Sequence, residues 1–327
     1  MNTKRWIAVG VFCGLLFIQL LSSFMTTDDG ISGVDFPDWS TELYSRGTRG
    51  NIALLDIDGI IQGGGGSSFL YDESYRHESF LDQLEHAFTS SNIDGVVLQV
   101  NSPGGGIYES DEIYNKIISL KEENDKPFVV YMKQLAASGG YYVSAPADKI
   151  YANRNTITGS IGVAMGGINY KELLDNIGVK DNIFTSGDNK TILSPSHEMT
   201  DEQAKIVQSM VDEMYEQFLD VVMSGRDIGK STLKSIADGR VYTARQAKEV
   251  GLIDEIGSLD DAIEKVSDIA ELENPSVLRY KYDDLGFLSG FGVKISDAIF
   301  SKNLHNVKEI EKMFDIRSAL PMYLWEQ

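Results

Sequence analysis

Three apolar runs of strand length, each closed by small or glycine-rich residues, constrain this chain more than any other feature. Asn51 to Ile61 (NIALLDIDGII), Asp94 to Val100 (DGVVLQV) and Pro127 to Tyr131 (PFVVY) read as buried strands. Between them lie two helix-patterned stretches, Ser74 to Thr89, with Phe80, Leu81, Leu84, Ala87 and Phe88 on one stripe, and Tyr108 to Glu123. Strands alternating with helices predict an α/β fold around a mainly parallel sheet with right-handed crossovers. The loops after Val100 and after Lys133 then leave the same carboxyl edge, where open α/β sheets bind ligands. Gly104 to Gly106 and Ser138 are thereby predicted neighbours, far apart as they are in sequence.

Ser138 stands in Ala136-Ala137-Ser138-Gly139-Gly140, between a strand and the short helix expected at Tyr141 to Ala145. A hydroxyl at a sharp strand-to-helix turn is held clear of its backbone at a helix N-terminus, where negative charge is stabilised. Ala136-x-Ser138-x-Gly140 is a near relative of the nucleophile elbow, with alanine for the first glycine. The same residues also suit a small-residue N-cap between closely packed elements. If Ser138 is a nucleophile, the backbone N–H groups of Gly105 and Gly139 are the natural oxyanion donors. The glycine run also fits a Pro-Gly turn or a phosphate cradle, but the P-loop lysine is missing and no G-x-G-x-x-G opens a helix here.

The base is less defined. His77 and His86 fall on the surface-patterned first helix, His197 precedes the longest helix, and His305 lies in the tail. Lys190, in Ser186-Gly187-Asp188-Asn189-Lys190-Thr191, is the other candidate, since a lysine buried among neutral dipoles can serve as a general base. The residues alone leave His197 and Lys190 both open.

At the N-terminus, Lys4 and Arg5 precede an uncharged run from Trp6 to Met25, long enough to cross a bilayer. Asp28 and Asp29 follow, so charge asymmetry predicts a cytoplasmic N-terminus and an extracytoplasmic body. A cleaved signal peptide is the rival reading, disfavoured by the length of the run and the lack of a small-x-small site. Cys13, the single cysteine, lies in this run and follows bulky Phe12, which makes it a poor lipid-attachment site; the rest of the chain can build neither a disulfide nor a cysteine metal site. Beyond Arg5, 27 basic residues face 49 acidic ones, a balance of −22, so the body is repelled by anionic lipid and nucleic acid is not an expected partner.

The expected organisation is a cytoplasmic N-terminus (1–5), an anchor (6–25), a polar linker (26–50), a catalytic domain (51–272) and a C-terminal extension (273–327). Within it, strands are expected at Lys149 to Ala152, Ser160 to Ala164 and Lys180 to Thr185. Helices are expected at Lys171 to Ile177, from the Thr200 cap to Ser224, at Thr243 to Val250 and at Leu259 to Leu272. On the longest helix Ile206, Val207, Met210, Val211, Met214, Tyr215, Phe218 and Leu219 form a face read as core or subunit interface. In the extension a strand at Val277 to Tyr282 and a helix at Ile295 to Phe314 are the only patterns.

Four segments in order, NSPGGG (Asn101 to Gly106), AASGGYY around Ser138, TGSIG (Thr158 to Gly162) and SGDNKTILSP (Ser186 to Pro195), together resemble the bacterial signal peptide peptidase A family in its short, single-repeat form. The resemblance covers about Asn51 to Leu272. It implies a Clp protease/crotonase-like fold preceded by one transmembrane helix, and a membrane-anchored serine protease with a Ser–Lys dyad and no cofactor. By motif it makes Ser138 the nucleophile, Lys190 the general base, Ser160 the hydroxyl that orients the lysine and Gly105 an oxyanion donor; Gly139 is added from geometry. It further implies homo-oligomeric rings in which one subunit's serine meets its neighbour's lysine, and signal-peptide remnants or other hydrophobic peptides as substrates. Two other functions fit the same fold: crotonase-type acyl-CoA chemistry, disfavoured by an exported location, and a catalytically silent peptide-binding membrane scaffold, disfavoured by an intact Ser138 and Lys190.

Overall fold

The apolar runs become the centre of one sheet, and their neighbours are set by which strand ends must meet. The computed structural model of the protein describes residues 37–63, 75–282 and 322–324. β1 (Trp39–Ser45) and β2 (Asn51–Asp58) are followed by α1 (His77–Thr89), β3 (Gly95–Ser102) and the three-residue β4 (Gly104–Gly106). α2 (Ile107–Glu123), β5 (Phe128–Ala137), α3 (Gly139–Ser144), β6 (Lys149–Ala152) and β7 (Ile157–Gly159) come next. Then follow α4 (Lys171–Asn176), a 3-10 turn (Asp188–Thr191), α5 (Asp201–Gly225), α6 (Lys230–Ile236), β8 (Val241–Thr243), α7 (Ala244–Glu249), β9 (Glu255–Ile256), α8 (Leu259–Ile269) and β10 (Ser276–Tyr282). A short β11 (Met322–Leu324) pairs with β4.

The main sheet runs β1-β10-β2-β3-β5-β6-β9, with β7 continuing beside the C-terminal half of β5 and β8 beside β7. Pairing from β10 to β9 is parallel, while β1–β10 and β7–β8 are antiparallel. Successive residues point to opposite faces of a strand. Leu55, Leu98 and Val130 therefore meet α1 and α2 through Phe80, Phe88, Ile113 and Ile117. Leu54, Val97 and Val129 face the other way, onto Ala262 and Val266 of α8.

Most expected elements lie where the periodicity puts them, and four differences carry physical reasons. Residues 39–45, expected to be linker, form β1, which is held by antiparallel pairing to β10 rather than by an apolar pattern of its own. β10 sits between β1 and β2, so the sheet extends past Leu272 into the expected extension. The strand expected at Ser160 to Ala164 lies earlier, at β7, because Ala137 pairs with Gly159. No strand forms at Lys180 to Thr185, where every residue is exposed. The expected anchor (6–25) and the helix at Ile295 to Phe314 lie outside the described residues, among which no helix is long and apolar enough to cross a membrane.

The capping box at Thr200 is present, with Gln203 N–H donating to the threonine Oγ1. The apolar face of α5 divides: Phe218 and Leu219 are fully buried, whereas Met210 is 41% exposed. Ahead of α5 the exposure is greater still. From Gly162 to Glu202 no residue is buried, and Ile168 and Phe184 are 81% and 96% exposed.

Asp254 ties the far side of the sheet together, accepting from Lys149 Nζ, Ile150 N–H and Arg226 Nη1 at 2.7, 2.9 and 2.7 Å. Burial works to raise its pKa, but the Lys149 bond, the Ile150 N–H and the Arg226 charge prevail and hold it below the ordinary carboxylate value. A depressed folded pKa contributes stability that is present above the unfolded value, about 3.9, and is lost as pH falls through the folded one. Asp254→Asn should therefore melt several degrees below wild type at neutral pH, with the gap closing in acid. Thermal melts across pH check this; a gap independent of pH would show that the charge does not matter.

Candidate active site

Parallel pairing of β3 with β5 carries both chains to one edge of the sheet: Ser102 is level with Ala136, and each chain then departs into small residues. The Ser102 hydroxyl accepts from Gly104 N–H at 3.1 Å, and Ile61 N–H donates to Gly104 O while Gly106 N–H donates to Ile61 O. Backbone groups alternate sides along a strand, so Gly105 N–H and C=O face away from Ile61. A Cβ on Gly105 would lie 1.8 Å from Ile61 O, so no other residue allows this approach.

Ser138 is reached at the end of β5 with φ 54° and ψ −119°, a conformation that favours glycine, and it is 1% exposed. Its N–H donates to Gly159 O at 2.8 Å, and its carbonyl accepts from Tyr141 and Tyr142 N–H, opening α3. The phenols fix that helix in the core: Tyr141 donates to Leu252 O at 2.8 Å and Tyr142 to Asp111 Oδ1 at 2.6 Å. Burial pushes the Tyr141 hydroxyl well up, which keeps it a neutral donor. A Cβ on Gly139 would stand 3.1 Å from Gly105 N, so Gly105 and Gly139 are neighbours in space.

Ser160 follows Gly159 as Ser138 follows Ala137, and those two residues are register partners. The two serines thus end adjacent parallel strands, where spacing is about 4.8 Å. Ser160 is also left-handed, at φ 51°, and buried, with its N–H donating to Arg240 O at 2.8 Å.

Lys190 is not part of this cluster. It lies in the 3-10 turn of the unburied stretch, exposed, and its ammonium makes no hydrogen bond or ion pair among the described residues. His197 does not join Ser138 either; its Nδ1 lies 3.1 Å from Ser196 Oγ and 3.4 Å from Ser194 Oγ. Of the first-helix histidines, His86 is exposed as its pattern implied, and His77 alone is more enclosed. His77 is 6% exposed and bridges the Tyr75 hydroxyl and Glu112, and His86 contacts the Tyr280 hydroxyl at 2.8 Å. Both serve packing between α1 and its neighbours. No group of three or more His, Cys, Asp or Glu among the described residues is placed to hold a metal ion.

Two features of the edge were not legible beforehand. β11 runs antiparallel along β4, with Tyr323 opposite Gly105, so the side of Gly105 that faces away from Ile61 carries an extended segment of the chain's own tail. The Glu109 carboxylate accepts from Gly63 N–H at 2.7 Å and lies 1.9 Å from where a Gly106 Cβ would stand.

Residues 121–273 match the family model described as Peptidase family S49. A protein of Enterococcus faecium, carried under the provisional name signal peptide peptidase SppA, is 40% identical over 311 residues, covering 91% of this chain and 90% of that one. Protease 4 of Haemophilus influenzae is 32% identical over 258 residues, 77% of this chain and 41% of that longer one. Among solved structures, a ClpP1 variant from Listeria monocytogenes aligns with a TM-score of 0.42 at 17% identity, over 64% of this chain and 94% of its own.

The backbone at Ser138 is strained for any side chain, which is testable without an activity assay. Replacing a positive-φ residue by glycine relieves about 1–3 kcal/mol of strain, against about 0.5–1 kcal/mol of added chain entropy. Ser138→Gly should therefore be about 1 kcal/mol more stable than Ser138→Ala in denaturant unfolding. Equal stability would mean that the turn is relaxed.

Proposed function

This chain belongs to peptidase family S49, and we propose that it cleaves hydrophobic peptides, remnants of signal peptides among them, through a Ser–Lys dyad assembled between two copies of the chain. That it is a serine protease follows from the family; the dyad, the substrate and the assembly are our reading. The observation that carries it is Ser138, strained and backed by the glycine strand β4, on an edge that accepts an extended segment.

In this reading Lys190, as the neutral amine, takes the proton from Ser138 Oγ as the oxygen attacks the scissile carbonyl. Gly105 and Gly139 N–H groups receive the oxyanion. Collapse of the tetrahedral intermediate breaks the C–N bond, Lys190 returns the proton to the leaving amine, and water then hydrolyses the acyl-serine by the same route. Ser160, beside Ser138, orients the incoming amine. The lysine comes from a neighbouring copy: its own stretch buries nothing in one protomer and exposes Ile168, Ile177 and Phe184, while Ser138 is enclosed. Exposed apolar residues of this kind cluster where a partner covers them. The uncharged run Trp6 to Met25 anchors the body at the outer face of the cytoplasmic membrane, beside membrane-released peptides.

Complementation tests the shared site. Ser138→Ala and Lys190→Ala proteins should each lose at least about a thousandfold in kcat, and His197→Ala should keep its activity. Mixing the two dead variants after dissociation should restore cleavage, because some interfaces then join an intact serine to an intact lysine. No recovery, or full activity in a verified monomer, would defeat the shared dyad.

The substrate backbone takes the place of β11 along β4, as an added strand. Glu109, packed over Gly106, sets a negative charge beside that strand and disfavours acidic side chains there. Deleting residues 322–327 should raise kcat/KM on short peptides several-fold. A peptide library given to the truncated protein should be cut after small or apolar residues and spared after Asp or Glu. Unchanged kcat/KM would mean that the tail does not compete; indifferent cutting would remove Glu109 from specificity.

A further inference from the structure

Ser110, in the first turns of α2, is fully buried, and its hydroxyl has no hydrogen-bond partner among the described residues. Three other helical serines of this chain turn their hydroxyls back onto the carbonyl four residues earlier, and Ser209 and Ser235 onto the carbonyl three earlier. Ser144 donates to Gly140 O at 2.6 Å, Ser224 to Asp220 O at 2.8 Å and Ser267 to Ile263 O at 2.6 Å. That bond is the ordinary resting place of a helical hydroxyl. Ser110 does not take it, although a buried, unpaired hydroxyl is unfavourable for folding and such groups in a native structure call for an explanation.

The explanation lies in what the oxygen touches. A Cβ on Gly139 would stand 2.5 Å from Ser110 Oγ, 3.1 Å from Gly105 N and 3.2 Å from Gly104 Cα. The serine oxygen thus closes on the α-carbon of Gly139 on the side where Gly105 also approaches. No covalent neighbour restrains Gly139 on that side, because it has no side chain, and the peptide before it is the strained one at Ser138. We infer that Ser110 is a positioning residue of the oxyanion hole: its γ-oxygen, resting on Gly139, fixes the Ser138–Gly139 peptide so that Gly139 N–H converges with Gly105 N–H. This rests on the reading of Ser138 as nucleophile. An alanine here leaves a gap into which the peptide can rock, while an atom at the γ position closes it.

Three variants of the full chain test the inference: Ser110→Ala, Ser110→Cys and, as a control, Ser138→Ala. The readouts are kcat and KM on a peptide, affinity for a peptide boronic acid whose adduct on Ser138 places an oxygen in the hole, and Tm. Ser110→Ala should lose roughly tenfold in kcat, short of the hundredfold or more that removal of an oxyanion donor costs. Its KM should stay within about twofold, its boronate affinity should fall with kcat, and its Tm should be equal to or above wild type. Ser110→Cys, which keeps a γ atom, should recover most of the lost rate. Wild-type kcat in Ser110→Ala, a loss accompanied by lower Tm and higher KM, or a cysteine variant as slow as alanine would each overturn the inference. Full activity in Ser138→Ala would instead remove the nucleophile assignment beneath it, whereas an inactive Ser138→Ala beside an unimpaired Ser110→Ala removes this step alone.

Discussion

The site depends on a close approach between two backbones. The strand Gly104–Gly106, fastened to Ile61 from one side, where a Cβ on Gly105 would lie 1.8 Å from Ile61 O, meets Gly139 from the other, where a Cβ would stand a tight 3.1 Å from Gly105 N. Everything else at the edge is arranged so that this contact can exist. Parallel pairing of β3 and β5 brings the two chains out together, and the apolar layer of α1 and α2 packs beneath them. In the proposed mechanism, dipoles fixed in this way need not reorganise when charge develops on a substrate, which is the main source of electrostatic catalysis.

The strain at this contact is concentrated in two residues and secured by groups that lie deeper. Ser138 and Ser160 both hold left-handed backbones at the ends of neighbouring strands, and each is locked by an N–H bond, to Gly159 O and Arg240 O. Below them Tyr141 and Tyr142 are fully buried with their hydroxyls engaged. Such conformations persist only where the surroundings over-determine them. In the proposed mechanism, the hydroxyl presented for reaction is thus held by packing it does not itself make.

How far the sequence spoke for this arrangement depends on whether the deciding forces were local. The buried strands, the capped long helix and the convergence of Gly104 to Gly106 with Ser138 follow from apolar runs, a Thr-x-x-Gln cap and the geometry of parallel sheets. β1 was read as linker because Trp39–Ser45 is polar and exposed over most of its length; only its distant partner makes it a strand. β11 is three residues laid on glycines, again by long-range pairing alone. His77 carried no mark of burial because one of its partners, Glu112, lies on another helix. Lys190 could be chosen over His197 only by its motif, for among the described residues nothing buries it. Ser110 could not be singled out at all: a serine in an amphipathic helix has no signature until the glycine beside it is seen.

The placement of β10 has a consequence for how the chain is made. Among the described residues β1 pairs with no strand but β10, and an ion pair joins the two, Lys281 with Glu42, 239 residues apart in sequence. β2 likewise keeps one edge uncovered until β10 arrives beside it. A chain emerging N-terminus first therefore holds its earliest strand unpaired, and an apolar strand with a bare edge, through nearly the whole of synthesis. Such edges invite pairing with other chains, and contacts of this sequence separation form slowly. The last described strand of the main sheet is thus its closing piece, and a chain interrupted before Ser276 would retain all of Ser138, Gly105 and Lys190 yet leave the sheet open along β2.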